Sequence, residues 1–377
     1  MDLALSEEQE MLKKTAQGFL ENKCPKALVR EMEKDKKGYS PELWHEMAEL
    51  GWMGLVIPEK YGGMGMKFLD LAILIEEMGK FLVPGPFLPT VVYCGLPITA
   101  YGSEEQKQEF LPKIAGGNII MTLALTEPSA DIEANGVEIK AVADGSDYVL
   151  NGVKLFIPDA HVADYLLVVA RTKDSEDEDW GITLFLVDAK SAGIGCTLLN
   201  SIASDRQCEV VLDNVRVPGT NVLGELDRGW KITSKVLEQA AVAQCAIMVG
   251  GAQAVLDMTV AYAKERIQFE RPIASFQAVQ HKCANMLVAL EGSRYITYEA
   301  AWKLSENIPA AMEVSMAKAW VSEAYRQICA EGHDIHGGVG YIVEHDMQLY
   351  FRRAKAAELV FGDGDIHREK VAREMGL

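Results

Sequence analysis

Tyr148-Val149-Leu150-Asn151-Gly152-Val153-Lys154-Leu155-Phe156 marks a change of period near the middle of this 377-residue chain. Two short β-type runs flank an Asn-Gly pair, and that dipeptide predicts a hairpin because both residues tolerate positive φ. Residues 164–171, 181–188 and 208–218 are further β-type runs, so the stretch 119–226 reads as a β middle domain. The acidic segment 174–179, between two of these runs, reads as a solvated loop.

Helical spacing dominates on both sides of this stretch. Towards the N-terminus, Ser6 and Gln9 have the spacing of a capping box, and Met11, Leu12, Thr15, Ala16, Phe19 and Leu20 follow at helical intervals. Residues 41–50, 69–79 and 103–115 continue the pattern between Gly/Pro punctuation such as Tyr61-Gly62-Gly63 and Pro84-Gly85-Pro86. Towards the C-terminus, Ala252, Leu256, Val260 and Ala263 share one face, and residues 276–305, 310–332 and 346–359 are helical in composition. The expected fold class is α+β, with a helical N-terminal domain at 1–118, the β domain at 119–226 and a C-terminal helical bundle at 227–377.

Composition narrows the function. A net charge of -18 sets a repulsive field against nucleic acid and anionic membrane, so neither is expected as a partner. An anionic nucleotide held by local dipoles and one or two arginines remains compatible with that charge. No apolar run approaches the roughly 20 residues of a membrane span. The start Met1-Asp2-Leu3-Ala4-Leu5-Ser6-Glu7-Glu8 lacks the basic and apolar regions of a signal peptide. Seven cysteines without a CxxC pair fit reduced thiols in a cytoplasmic enzyme.

No Walker loop or GxGxxG follows a strand, and Gly337-Gly338-Val339-Gly340 follows a helical segment instead. Arg266-Ile267-Gln268-Phe269, with Gln277 at the next helix start, is more specific. The arginine can pair with a pyrophosphate, the aromatic can flank an adenine and the glutamine can read a base edge. The same residues can equally serve a helix dipole, a core and a cap. His333 and His336 lie three apart without HExxH or zinc spacing, so structural histidines are expected and no metal. No GxSxG elbow supports a hydrolase.

Nearly end to end, the chain resembles the acyl-CoA dehydrogenase family. Thr126-Glu127-Pro128 resembles the start of its middle domain, and Arg266, Phe269 and Gln277 resemble its FAD-binding residues. His336-Gly337-Gly338-Val339-Gly340-Tyr341 resembles its glycine turn. Tyr350-Phe351-Arg352-Arg353 through Asp363-Gly364-Asp365-Ile366-His367-Arg368 resembles its last active-site segment. The resemblance implies a β-barrel-like middle domain, a C-terminal four-helix bundle, and FAD bound across a subunit interface. It implies cofactor contacts at Leu125, Thr126, Phe156, Pro158, Arg266, Phe269, Gln277, Asp334, Gly337, Gly338, Asp363 and Asp365. The implied substrate is an acyl-CoA thioester, with an electron-transfer flavoprotein or similar protein as acceptor. A homo-oligomer, or a hetero-oligomer with a homologous subunit, is implied as the assembly.

The chain departs from that pattern where the chemistry is usually done. Phe361 occupies the position of the usual catalytic glutamate, and Ala240 the alternative position on the first bundle helix. The accompanying arginine appears as Ala241, and Glu238 lies roughly 200° around the helix from Ala240. The family's Trp-Ile-Thr is Phe156-Ile157-Pro158, and its glutamine before the glycine turn is Asp334. Ser129-Ala130-Asp131-Ile132 replaces its Gly-Ala-Gly-Ser-Asp. Two readings follow. One is a dehydrogenase of an unusual acyl-CoA (cyclic, aromatic or dicarboxylic) using Asp159, Asp363 or Asp365 as base. The other is a non-catalytic subunit completing a partner's FAD site. An oxidase or monooxygenase on the same fold is a third.

Overall fold

A computed structural model describes residues 5–175, 177 and 179–377. Residues 1–4 of the stretch read for a leader, and Glu176 and Glu178 of the acidic segment, lie outside the described residues. The helices are α1 (Glu7–Lys23), α2 (Lys26–Met32), α3 (Pro41–Glu49), α4 (Phe68–Phe81), α5 (Leu96–Tyr101), α6 (Glu104–Ala115), α7 (Gly229–Glu265), α8 (Gln277–Ser305), α9 (Ala311–His336), α10 (Met347–Leu359) and α11 (Gly364–Glu374). The strands are β1 (Met121–Ala124), β2 (Lys140–Asp144), β3 (Asp147–Pro158), β4 (Tyr165–Arg171), β5 (Ile182–Asp188), β6 (Ile194–Leu199), β7 (Gln207–Pro218), β8 (Val222–Leu223), β9 (Ile267–Gln268) and β10 (Arg271–Pro272). Ser6 and Gln9 form the expected capping box at α1, and Ser103 with Gln106 forms a second at α6.

The chain divides into two compact units. One contains the residues up to Arg30, Phe68–Val83 and Ala241–Leu377. In it α4 packs on α1 and α8, and α9 packs on α8, α10 and α11. Glycines allow α4 and α7 to cross closely: a Cβ on Gly250 would lie 1.8 Å from the Glu76 carbonyl oxygen. The buried Glu76 carboxylate accepts from Lys13 of α1 at 2.9 Å, and from Arg294 at 3.2 Å and Tyr298 at 2.7 Å of α8. A buried charge is tolerated because it is paired on several sides.

The second unit, Glu31–Lys67 and Pro84–Ala240, carries the sheet in the order β6-β7-β3-β2-β4-β5-β8, with β1 parallel to β4. Its core includes Leu150, Ile157, Leu166, Val168, Phe185, Val210 and Val217.

Two expectations need correction. Asn151-Gly152 is not a hairpin turn: β3 runs through it as one 12-residue strand, and the β2–β3 turn falls at Gly145-Ser146. Pairing with β7 on the other side holds the strand together. The pair is absorbed as a register shift between Leu150 and Gly152, with Asn151 Oδ1 accepting from the Asn214 amide at 2.8 Å. The expectation that no apolar run reaches membrane-span length fails at α7. This 37-residue helix includes an 18-residue window of mean hydropathy 1.4, of which 72% is buried inside the protein. A long, mostly buried apolar stretch is what a core helix demands.

Candidate functional site

The Arg266 segment begins where α7 ends, with the Arg266 amide donating to the Tyr262 carbonyl at 2.8 Å. Strands β9 and β10 pair around Phe269 and Glu270, whose φ angles of 52° and 65° are those of a tight two-residue turn. The turn holds Phe269 at its tip, 87% exposed, which excludes the core reading. Gln277 is the first residue of α8 and does not cap it, since Phe276 occupies the N-cap and no side chain bonds the first turn. Among the described residues, the exposed Arg266 makes no side-chain hydrogen bond or ion pair.

Three helix ends converge here. Tyr262 stacks on His336 with ring centroids 4.5 Å apart, joining α7 to α9. Lys282 of α8 pairs with Glu331 at 2.9 Å and with Asp334, so the Asp334 carboxylate is engaged by a lysine. Gly337 then leaves α9 at φ 61° and ψ -144°, a region open essentially to glycine alone. A Cβ on Gly337 or Gly338 would meet none of the described residues within 4 Å. An exposed arginine, an uncapped helix N-terminus, an exposed aromatic in edge contact with Phe276 and an open glycine turn thus lie at one end of the helices. That set suits an anionic phosphate linked to a flat ring.

The histidines beneath the turn are packed rather than convergent. His333 lies between Tyr341 and Phe351, with centroids at 4.8 and 4.5 Å, and among the described residues its two ring nitrogens have no hydrogen-bond partner. His336 Nδ1 donates to the Gly332 carbonyl at 2.7 Å. Burial holds both rings below the usual histidine range, so they are neutral at pH 7. Among the described residues, no group of three or more His, Cys, Asp or Glu could hold a metal.

In the sheet-bearing unit, the buried Lys154 Nζ donates to the Leu125 carbonyl at 2.8 Å and to Glu127 Oε1 at 2.7 Å. Glu127 also accepts from the Glu138 and Ile139 amides at 3.1 and 3.2 Å. The Thr126 carbonyl accepts from the Leu155 amide at 2.8 Å, so residues 125–127 are locked to β3. Burial brings Lys154 down to about 8, with Glu127 opposing. A second irregularity, between Lys154 and Ile157, puts Phe156 at φ 56° and leaves its ring 54% exposed. Pro158 has no amide hydrogen, and its carbonyl accepts from Thr122 Oγ1 at 2.7 Å. The Asp159 amide donates to the Arg206 carbonyl at 2.8 Å. Residues 156–159 therefore offer an exposed aromatic but no free donor at Pro158 or Asp159. The Asp159 carboxyl is pushed up to about 7 by burial, with Asp205 adding and Arg206 opposing.

The C-terminal segment is held from α9. The buried Lys318 Nζ donates to the carbonyls of Glu358 at 2.9 Å and Gly362 at 2.7 Å, and to Ser322 Oγ at 3.1 Å. These bonds bracket Phe361, which sits at φ 60°. His367 Nε2 donates to the Phe361 carbonyl at 2.9 Å, and burial brings this ring down to about 4. Asp363 caps α11, accepting from the Asp365 and Ile366 amides at 3.1 Å each. Asp365 pairs with Arg368 at 2.9 Å. Lys318 and His336 are 18 residues apart on α9, or roughly 27 Å at 1.5 Å per residue. The structure thus keeps Asp363 and Asp365 away from the glycine turn. Ala240 and Ala241 are buried on α7, and Glu238 pairs with Lys235 at 2.9 Å.

Lys318, Lys154 and Glu127 were missed as site-shaping residues. A signal existed for the lysines. Each interrupts an apolar run, Val314-Ser315-Met316-Ala317-Lys318-Ala319-Trp320-Val321 or Val153-Lys154-Leu155-Phe156-Ile157.

Residues 6–118, 122–215 and 227–376 match the N-terminal, middle and C-terminal domain models of acyl-CoA dehydrogenase. This chain belongs to the acyl-CoA dehydrogenase family, flavoprotein oxidoreductases acting on CH–CH bonds. Its helical N-terminal, sheet-containing middle and helical C-terminal regions are those of that fold. It is 35% identical to "Probable acyl-CoA dehydrogenase YngJ" of Bacillus subtilis, covering 100% of both chains. Its structure is similar to that of butyryl-CoA dehydrogenase from Megasphaera elsdenii (TM-score 0.93, 31% identity, 100% of both chains). A similar solved structure is an FAD complex of PigA (TM-score 0.91, 27% identity, 100% of both chains).

FAD is the cofactor of this family. The open Arg266, Phe269, Gln277 and Gly337–Gly338 set fits its pyrophosphate and adenine end. Phe156 offers apolar contact to a ring, without a donor from Pro158.

Proposed function

We propose that this chain is an FAD-dependent acyl-CoA dehydrogenase acting on the Cα–Cβ bond of an unusual acyl-CoA, cyclic, aromatic or dicarboxylic. It does so alone or as a subunit of a heteromeric enzyme. The observation that carries the reading is the convergence of exposed Arg266, Phe269, Gln277 and open Gly337–Gly338 at three helix ends. Arg266 holds the pyrophosphate, the α8 N-terminus adds its dipole, and Phe269 and Gln277 serve the adenine of a neighbouring subunit's cofactor. FAD supplies the hydride acceptor when bound. Leu125, Thr126, Phe156 and Pro158 flank the flavin end, and Asp334 acts through Lys282. Of the three candidate bases, Asp363 is spent on a helix cap and Asp365 on Arg368, whereas Asp159 titrates near neutrality as a general base requires.

A second reading has its own support. Phe361 and Ala240 cannot accept a proton and Pro158 cannot donate one, while the Arg266 set is intact. That asymmetry suits a non-catalytic subunit completing another chain's FAD site. Purified alone, the protein should carry FAD and turn over acyl-CoAs with an artificial acceptor if the first reading holds. Sub-stoichiometric FAD and silence, rescued by a homologous partner, would establish the second.

The domain limits 1–118, 119–226 and 227–377, a barrel-like middle domain and a four-helix bundle of α7–α10 are part of this proposal. So are an oligomeric assembly, an electron-transfer flavoprotein as acceptor and a cytoplasmic location.

A further inference from the structure

The sheet-bearing unit holds a thiol pair that the proposed chemistry does not use. Strands β6 and β7 are antiparallel, with Cys196 opposite Val210 and Leu198 opposite Cys208. That register puts the two cysteines diagonally on one face, where Cα atoms are about 7–8 Å apart and side chains still meet. Each thiol perturbs the other: the neighbouring Cys208 lowers the Cys196 thiol below its usual range, and Cys196 raises that of Cys208. Cys208 Sγ also lies 3.7 Å from His161 Nδ1, while His161 Nε2 lies 3.1 Å from the Lys37 carbonyl. A carbonyl only accepts, so Nε2 carries the ring proton and Nδ1 presents a lone pair to Cys208.

Exposure divides the roles. Cys196 is exposed, whereas Cys208 is buried behind it. Of the other cysteines, Cys24, Cys94, Cys245 and Cys329 are buried and Cys283 is partly exposed. The neighbouring Cys208 lowers the Cys196 thiol below its usual range, which favours the nucleophilic thiolate, and β6 is an edge strand paired with β7. An edge strand can shift by the ångström or so that brings two Cα atoms within disulfide range.

We propose that Cys196 and Cys208 form an oxidant-responsive dithiol, with Cys196 attacking hydroperoxides, Cys208 resolving, and His161 taking the resolving thiol's proton. In the first step the Cys196 sulfur bonds to a peroxide oxygen and the O–O bond breaks. The departing hydroxide is protonated to water, the sulfur is oxidised by two electrons to a sulfenic acid, and the peroxide is reduced. In the second, Cys208 gives its proton to His161 Nδ1 and bonds to the Cys196 sulfur. The S–O bond breaks and the hydroxide leaves as a second water with that proton. Two thiols and one hydrogen peroxide thus become one disulfide and two waters.

The test uses the reduced full-length protein with a small molar excess of hydrogen peroxide, quenched by alkylation and followed by peptide mass spectrometry. A Cys196–Cys208 cross-link, lighter by two hydrogens, should form at least about tenfold faster than Cys283 is modified. Cys208→Ser should stop at a sulfenic acid on Cys196 that dimedone captures, and Cys196→Ser should yield neither product. His161→Gln should slow disulfide closure and leave the first step unchanged. Modification of Cys196 no faster than Cys283, or one product shared by wild type and Cys208→Ser, would overturn the proposal. Each cysteine variant is a near-isosteric change, and unchanged unfolding temperature checks the fold.

Discussion

Lys318→Met keeps the length of the buried stem and removes its ammonium. Lost with it are the bonds to the Glu358 and Gly362 carbonyls at 2.9 and 2.7 Å, which bracket Phe361. At about 1.5–3 kcal/mol for a hydrogen bond to a charged group, their removal costs about 3–6 kcal/mol. Burial has a charge cost of its own, since Lys318 sits at about 8 in the fold against 10.5 as a free side chain. At 1.36 kcal/mol per pH unit, holding the charge inside at pH 7 costs about 3 kcal/mol, which methionine avoids. The net loss at pH 7 is therefore about 0–3 kcal/mol, and its pH dependence is the sharper quantity. Between pH 8 and 10.5 the unfolded chain binds the proton that the folded chain has released, so wild-type stability rises with pH. Relative to Lys318→Met, the wild type should gain up to about 3 kcal/mol across that window. Lys26 and Lys154, also brought down to about 8, are present in both proteins and cancel. Urea unfolding of both proteins from pH 7 to 10.5 measures the difference. A flat difference, or one that shrinks as pH rises, would refute the reasoning. Hydrogen exchange of the 359–367 amides should also quicken in the variant.

Arg266→Ala should weaken FAD binding by at least about tenfold, the equivalent of a charge-assisted contact of about 1.5–3 kcal/mol, and unchanged flavin titration would remove the assignment. Asp159→Asn should abolish turnover if Asp159 is the base, whereas full activity would pass the role elsewhere. The same substitution should raise stability at pH 8 by about 3–4 kcal/mol, an advantage fading towards pH 4. The folded carboxyl is raised to about 7, so its stabilising protonation is lost as pH rises through that value. Phe361→Glu tests whether position 361 faces the substrate: new dehydrogenase activity with a pH-rate limb from the added carboxylate is expected, and its absence in a folded, FAD-loaded variant would place the base site elsewhere.

The α-β-α order, the end of α7 at Arg266 and the capping boxes of α1 and α6 follow from local pattern, because periodicity and caps are set within a few residues. The motif that names the family is equally local in sequence. Asn151-Gly152 marks where local chemistry loses to tertiary pairing: the dipeptide favours a turn, but a strand bonded on both sides carries it as a bulge. The same competition pushes Phe156 outward, which alternation alone does not foresee. Whether Phe269 was buried or exposed depended on a two-residue turn that holds it at its tip. Lys154 and Lys318 stand out in the sequence only as charges within apolar runs, and which carbonyls distant in sequence accept their hydrogen bonds is settled by the fold. Burial, charge state and the partner of a polar atom arise from residues far apart in the chain, so only the tertiary structure decides them.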